Sequence, residues 1–289
     1  MAGSYSRFCY LNGKYLPFNK AGINPLDLGF IRGYALLEVL RTYHGKIFAF
    51  NDHYQRLKNG ADFLHLKIPV SKSEFRKIIE ALIKKNQLKE ARLPARQAKI
   101  KIILSGGLPE EELAIPSKQT LFVYAEPIKI YPQKSYEKGV KILSLNHKRS
   151  NPQIKVANYV EAIRFHHLLK AKKASELLYV YDNNIYECSS SNIFIFKKNV
   201  LITPNHAVLP GVTRKYTLSL ASKYFKTIIR SITYQELIKA DEIFITSTTR
   251  EIMPVIKIDH YKIGNGKVGA KTKFLMEKWQ EFIQEKYCK

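Results

Sequence analysis

Along this chain, runs of alternating apolar and polar residues give way repeatedly to stretches where apolar positions return every three or four residues. The first period belongs to half-buried strands and the second to amphipathic helices. FCYL and KYLPF flank Asn12-Gly13, and EVLRTY and KIFAF flank His44-Gly45. Two-residue connections of this kind predict two hairpins. Asn51 or Asp52 can cap a helix carrying His53, Arg56, Leu57 and Leu64. Ser71 with Glu74 makes a capping box ahead of Phe75, Ile78, Ile79, Leu82 and Ile83. Strands KIKIILS and TLFVYAE follow. The stretch EPIKIYPQKSYEK has two prolines and no helical period, so it reads as a linker. Beyond it the pattern predicts strand VKILSL, a helix over 158–172, strand LLYVY, a turn at Asp182-Asn183-Asn184, and strands IYEC, NIFIF and VLIT. A helix after Thr213, a strand around Ile229, a capping box at Thr233 and Glu236, strands EIFIT and MPVIKI, and an amphipathic helix from Val268 complete the series. The result is a mixed α/β (α+β) protein of two lobes, 1–127 and 139–289, joined through 128–138, with Lys155 expected in the second lobe.

Composition narrows the class of protein. A chain of 289 residues can bury a sizeable core. No apolar run approaches the roughly 18–20 residues needed to cross a bilayer, and MAGSYSRFCY has no apolar stretch of the secretory type. Cys9, Cys188 and Cys288 form no cluster and are odd in number, which argues against a disulfide framework. A cytoplasmic setting is expected. The 48 basic residues against 24 acidic give a net charge of +24. Such a field can hold nucleic acid nonspecifically. The lysines are scattered, however, with no zinc spacing and no aromatic-basic RNA signature, so neither a specific nucleic-acid partner nor a metal is expected.

Four segments carry candidate chemistry. In HKRSNPQIKVANYVEAIRFHH, Lys155 sits between Ile154 and a helix, after the turn at Pro152. A lysine in an apolar pocket loses its proton more easily and can then form a Schiff base. In YECSSSNIFIF, Glu187 precedes three serines; such a carboxylate is either a strand-edge charge or the partner of a ring nitrogen. LPGVTRKY and FITSTTREIMPV place backbone amides and hydroxyls at turns. Each can serve as ordinary capping by Thr213 and Ser247 or as a phosphate cradle. Arg56 can supply a bidentate partner to the same phosphate.

In this order the segments resemble those of the fold-type IV pyridoxal-phosphate enzymes: branched-chain aminotransferases, D-amino-acid transaminases and aminodeoxychorismate lyases. The resemblance runs from about Asn12 to Phe274. It implies a two-lobed fold like that of D-amino-acid aminotransferase, with pyridoxal 5'-phosphate as cofactor. NDHYQRL implies that Arg56 meets the phosphate, IKVANY that Lys155 is the Schiff-base lysine, and ECSSSNIF that Glu187 faces the pyridine nitrogen. Tyr159 falls where several of these enzymes have a tyrosine near the ring hydroxyl. PGVTR and TSTTREIMPVIKID imply phosphate contacts at Val212 and Thr213, then at Ser247 and Thr248.

The activity implied is transfer of an amino group between an amino acid, of D or branched-chain type, and a 2-oxo acid. For the substrate carboxylate the candidates are Arg32 in FIRGY, Lys101 on KIKIILS and Arg41 in LEVLR. FIRGY resembles a variant D-amino-acid transaminase group, LLEVLR resembles a glutamate-bearing segment of branched-chain enzymes, and Lys101 stands where those enzymes carry an arginine. The loop Gly106–Pro116 departs from the common D-specific pattern, having three glutamates and neither arginine nor histidine. KIKIILSGG also resembles the lyase strand, which keeps 4-aminobenzoate formation as an alternative, although Gly106 replaces the usual arginine. A basic binding protein without catalysis is the alternative from another class. The resemblance further implies a homodimer.

Overall fold

The computed structural model describes residues 7–88 and 97–287; Cys288 lies outside them. The chain divides into two compact units. One holds the residues up to Ile130 together with Ile154–Asn158, and the other holds Tyr131–Gln153 and Tyr159–Tyr287.

The first unit contains β1 (Phe8–Leu11), β2 (Lys14–Pro17), α1 (Leu28–Ile31), β3 (Ala35–Tyr43), β4 (Lys46–Ile47), α2 (Phe50–Phe63), α3 (Lys72–Lys85), β5 (Ala98–Ser105) and β6 (Thr120–Pro127). Its six strands form one sheet in the order β2-β1-β6-β5-β3-β4, antiparallel throughout. Asn12 at φ 44° and Gly13 at φ 92° make the left-handed turn that the twist of a tight hairpin requires. Alternation on β5 sends Ala98, Ile100 and Ile102 into the core cluster that also holds Phe75, Ile79 and Leu82 of α3. Ser71 caps α3 by accepting from the Glu74 amide at 3.2 Å. The start of α2 differs from expectation. Ala49, in left-handed conformation and without a side-chain cap, precedes a helix that begins at Phe50. Phe50 is itself core, so packing sets the start in place of a polar cap.

The second unit contains α4 (Gln133–Glu137), β7 (Val140–Asn146), α5 (Val160–Arg164), α6 (His166–Ala171), β8 (Glu176–Tyr181), β9 (Asn184–Cys188), β10 (Asn192–Lys197), β11 (Val200–Thr203), α7 (Val212–Ala221), β12 (Lys226–Ile229), β13 (Ile232–Thr233), α8 (Tyr234–Ile238), β14 (Glu242–Ser247), β15 (Glu251–Ile258), β16 (Tyr261–Lys262) and α9 (Ala270–Tyr287). The sheet runs β12-β11-β10-β14-β15-β7-β8-β9-β13, with β16 on β15. β7 pairs in parallel with both β15 and β8. The near-continuous apolar runs of β10 and β14 are buried along almost their whole length, as a central strand covered on both faces requires. The single helix expected over 158–172 is two short pieces separated at Phe165. Neither buries a residue, so no core face stabilises a longer helix. The proline-bearing stretch read as a linker carries the short helix α4.

Two substitutions test how α3 is held. Ser71→Ala should cost about 1 kcal/mol by loss of the cap, and Leu82→Ala should cost about 2–5 kcal/mol by opening a cavity. Urea denaturation of the two variants measures both.

Candidate active site

Lys155 belongs to a segment that lies along β3. The Leu37 amide donates to the Lys155 carbonyl at 2.8 Å, the Ala157 amide donates to the Ala35 carbonyl at 2.8 Å, and Val156 bridges Leu36. Over Ala35–Leu37 one edge of β3 is taken by β5, and this segment fills the other. The lysine is half-buried, next to the buried Ile154.

Arg56 lies one turn beyond His53 on α2, and both side chains meet Glu38 of β3. Arg56 donates from Nε to Glu38 Oε2 at 2.9 Å and from Nη2 to Oε1 at 2.6 Å. His53 Nδ1 is 2.9 Å from Oε1. All three are buried. Burial works to raise the Glu38 pKa, but Arg56 and the His53 hydrogen bond outweigh it and hold the carboxyl well below its usual range. Burial pushes the His53 pKa down against the pull of Glu38. The Nε2 atom of His53 is buried without a hydrogen-bond partner.

Among the substrate candidates, Arg32 ends α1 and reaches Glu112 at 3.3 Å; their side chains are 48% and 84% exposed. Lys101 lies on the face of β5 away from the helices, 3.8 Å from Glu126 and over the Tyr124 ring. Arg41 is buried, bonded to Gln97 at 2.5 Å and set over Tyr43. Arg41 is thus already engaged by neighbouring groups.

In the second unit, Glu187 on β9 is buried and accepts three hydrogen bonds. Arg149 Nη1 donates at 2.7 Å, the Leu209 amide at 2.9 Å and Asn192 Nδ2 at 3.3 Å. Asn192 also donates to the Leu209 carbonyl at 2.9 Å, which ties Glu187 to the segment leading into α7. Gly211 is the N-cap of α7 and offers no side-chain cap, so the amides of its first turn have no side-chain acceptor at the cap. A Cβ at Gly211 would collide with Oδ1 of Asn192. Val212 and Thr213, both buried, open the helix. Asn192 pairs in register with Thr246, which brings the turn of Ser247 and Thr248 beside the same sheet position. That turn is closed by the Arg250 amide, which donates to Ser247 Oγ at 3.3 Å. Tyr159, the N-cap of α5, is half-buried. It shares surroundings with the buried Tyr179, whose pKa is raised first by burial and then, against Arg149, by Glu187, Glu176 and Tyr159.

A buried carboxylate, a helix start with unfilled amides and a hydroxyl-bearing turn thus stand together in one unit. This set fits a flat, anionic phosphate cofactor with a ring nitrogen. The model of the family described as "Amino-transferase class IV" matches residues 35–258. The chain belongs to this family. Class IV aminotransferases work with pyridoxal phosphate. A Methanocaldococcus jannaschii protein bearing a branched-chain-amino-acid aminotransferase name is 30% identical over 283 residues, with 94% of this chain and 95% of the relative covered. The D-alanine aminotransferase of Bacillus licheniformis is 28% identical, with 96% and 98% covered. The crystal structure of the Escherichia coli branched-chain aminotransferase has the same fold, with a TM-score of 0.87 at 22% identity, over 96% of this chain and 94% of that one. The two-lobed fold-type IV architecture of this aminotransferase is therefore as expected.

Sequence reading missed Arg149, Asn192 and the partners of Arg56. Arg149 stands in the run HKRS, which looks like a solvated basic stretch, and Asn192 looks like the end of a polar turn. Glu38 did leave a signal, as a lone acid inside an otherwise apolar strand.

Glu38→Ala should destabilise the protein by about 3–5 kcal/mol, because it leaves Arg56 buried without its counter-charge. His53 makes a pH prediction. Its folded pKa lies below the unfolded value of about 6.5, so below that pH the unfolded chain binds more protons and stability falls. Urea unfolding of the wild type should show this loss as pH drops below about 6.5, and His53→Gln should flatten it. An unchanged slope in the variant would assign the loss to other groups.

Proposed function

We propose that this class IV aminotransferase passes the amino group of a D-amino acid to a 2-oxo acid, with Lys155 and Glu187 in the working roles. The observation that carries this reading is the buried Glu187 carboxylate, held between Arg149 and the Leu209 amide at the foot of the α7 loop. Pyridoxal phosphate, when bound, supplies an electron sink for the pair of electrons left on the substrate's α-carbon. Glu187, hydrogen-bonded by Arg149, would hold a proton on the ring nitrogen. Lys155 would hold the cofactor through Nζ and serve as the base that takes the proton from the substrate's α-carbon. Arg56, Val212, Thr213, Ser247 and Thr248 would hold the phosphate and so orient the ring, and Tyr159 would lie near the ring hydroxyl.

The choice of the D hand rests on Arg32. Its exposed pairing with Glu112 is worth little, so exchanging that carboxylate for a substrate's costs little. Lys101 shares Glu126 with Lys99, which stands 2.7 Å from it. Arg32 serves best at the seam of a homodimer. In support, Leu26, Phe30 and Leu113 are exposed on α1 and its neighbouring loops, with Phe30 76% and Leu113 83% accessible. An apolar surface of this kind calls for a cover, and a second copy supplies it. A cytoplasmic setting agrees with the buried free thiols of Cys9 and Cys188. No helix among the described residues is long and apolar enough to cross a membrane.

The test is an absorbance scan of the purified protein with single D- and L-amino acids and no oxo acid. Bleaching of the yellow band by D-amino acids alone supports the proposal, and bleaching by L-leucine or L-valine alone replaces it with the branched-chain reading. A yellow protein bleached by neither hand, which forms 4-aminobenzoate from aminodeoxychorismate, is a lyase. Lys155→Ala should lose the band and lower turnover by about 10²–10⁴-fold, the usual reach of acid–base catalysis.

A further inference from the structure

The three serines after Glu187 and the arginine after Thr248 have no part in the chemistry above, yet they meet at one buried charge. Glu176, the first residue of β8, is 1% exposed. It accepts from the Ser190 amide and from the hydroxyls of Ser189 at 3.3 Å, Ser190 at 2.8 Å and Ser191 at 2.9 Å. Arg250 Nη1 lies 3.3 Å from its Oε2 and donates to Ser190 Oγ at 2.9 Å. The Arg250 guanidinium rests over the Tyr131 ring, its carbonyl accepts from the Tyr136 hydroxyl at 3.2 Å, and its amide closes the Ser247 turn. A buried ion pair is an inefficient way to gain stability, because desolvation consumes most of the attraction. Apolar residues would fill this space at least as well. What the pair supplies is direction, since charge and hydrogen-bond geometry admit one arrangement where apolar packing admits several.

We propose that Glu176 and Arg250 are positioning residues which lock the Ser189–Ser191 turn to the Ser247–Arg250 turn and so hold the latter in shape for the cofactor's phosphate. The proposal rests on the cofactor reading above. Neither residue touches the cofactor. The pair acts through the Ser247–Thr248 turn, and its effect is therefore confined to ligands that carry a phosphate.

Apoprotein titrated with pyridoxal phosphate and, separately, with pyridoxal tests this directly, with formation of the yellow band as the readout. Glu176→Gln and Arg250→Met should weaken pyridoxal phosphate by about 10- to 100-fold and pyridoxal by less than about threefold, the usual size of an outer-partner effect. Arg250→Lys should recover part of the loss, and the double variant should be no worse than either single one. Ser191→Ala removes one donor and leaves the ion pair. It should weaken pyridoxal phosphate severalfold, and it keeps the test decisive if a charge variant fails to fold. Equal losses for both ligands in folded variants, or no loss, would overturn the proposal. Failure of the wild type to take up either ligand would instead overturn the cofactor reading beneath it.

Discussion

Removing a carboxylate from water leaves a demand that only hydrogen-bond donors can meet, and at Glu187 those donors come from three separate stretches of chain. Arg149 arrives from the loop after β7, Asn192 from the start of β10 and the Leu209 amide from the approach to α7. None of these positions is free to drift while the charge stays buried, because an abandoned partner would be left desolvated and unpaired. The α7 loop is thereby fixed relative to β9. Through the pairing of Asn192 with Thr246, the turn beyond β14 is fixed as well. The second unit is organised around this carboxylate.

The first unit repeats the solution with a different cast. Glu38 is buried among strand residues that are otherwise apolar, and it is reconciled to that place by Arg56 and His53 from α2. The guanidinium presents its Nε edge to Glu38, which sets the plane of the fork. A flexible side chain on a helix surface becomes a group with one orientation. Both units therefore use a buried glutamate to hold an arginine.

Much of the architecture was legible in the chain because it depends on short-range signals. The Asn12-Gly13 turn, the capping boxes at Ser71 and Thr233 and the alternation of KIKIILS are read from neighbouring residues, and each appears where expected. The start of α2 was misread because Phe50 packs into the core, a fact no local motif announces. The broken helix after Tyr159 was misread for the opposite reason: its apolar residues have no core to face, and Val160 and Ile163 remain exposed. At the site, the family's segments pointed to Lys155 and Glu187. Of the groups that steady Glu187, Arg149 lies far from it in sequence, and Asn192, though only five residues on, reads as the end of a polar turn. Their signal was only that of a polar residue in an apolar context, which many surface residues share.

The seating of Lys155 against β3 has a consequence for how the protein comes into being. The hydrogen bonds at Leu37 and Ala35 join parts of the chain that are made far apart in time. While the ribosome is still producing the residues between them, one edge of β3 stands open and the lysine does not yet exist. Closing that edge and delivering Lys155 to it are thus one event, reached once little more than half of the chain has been made. An unfinished chain has a strand edge to shield, so the open edge is the point where helper proteins or self-association would first act.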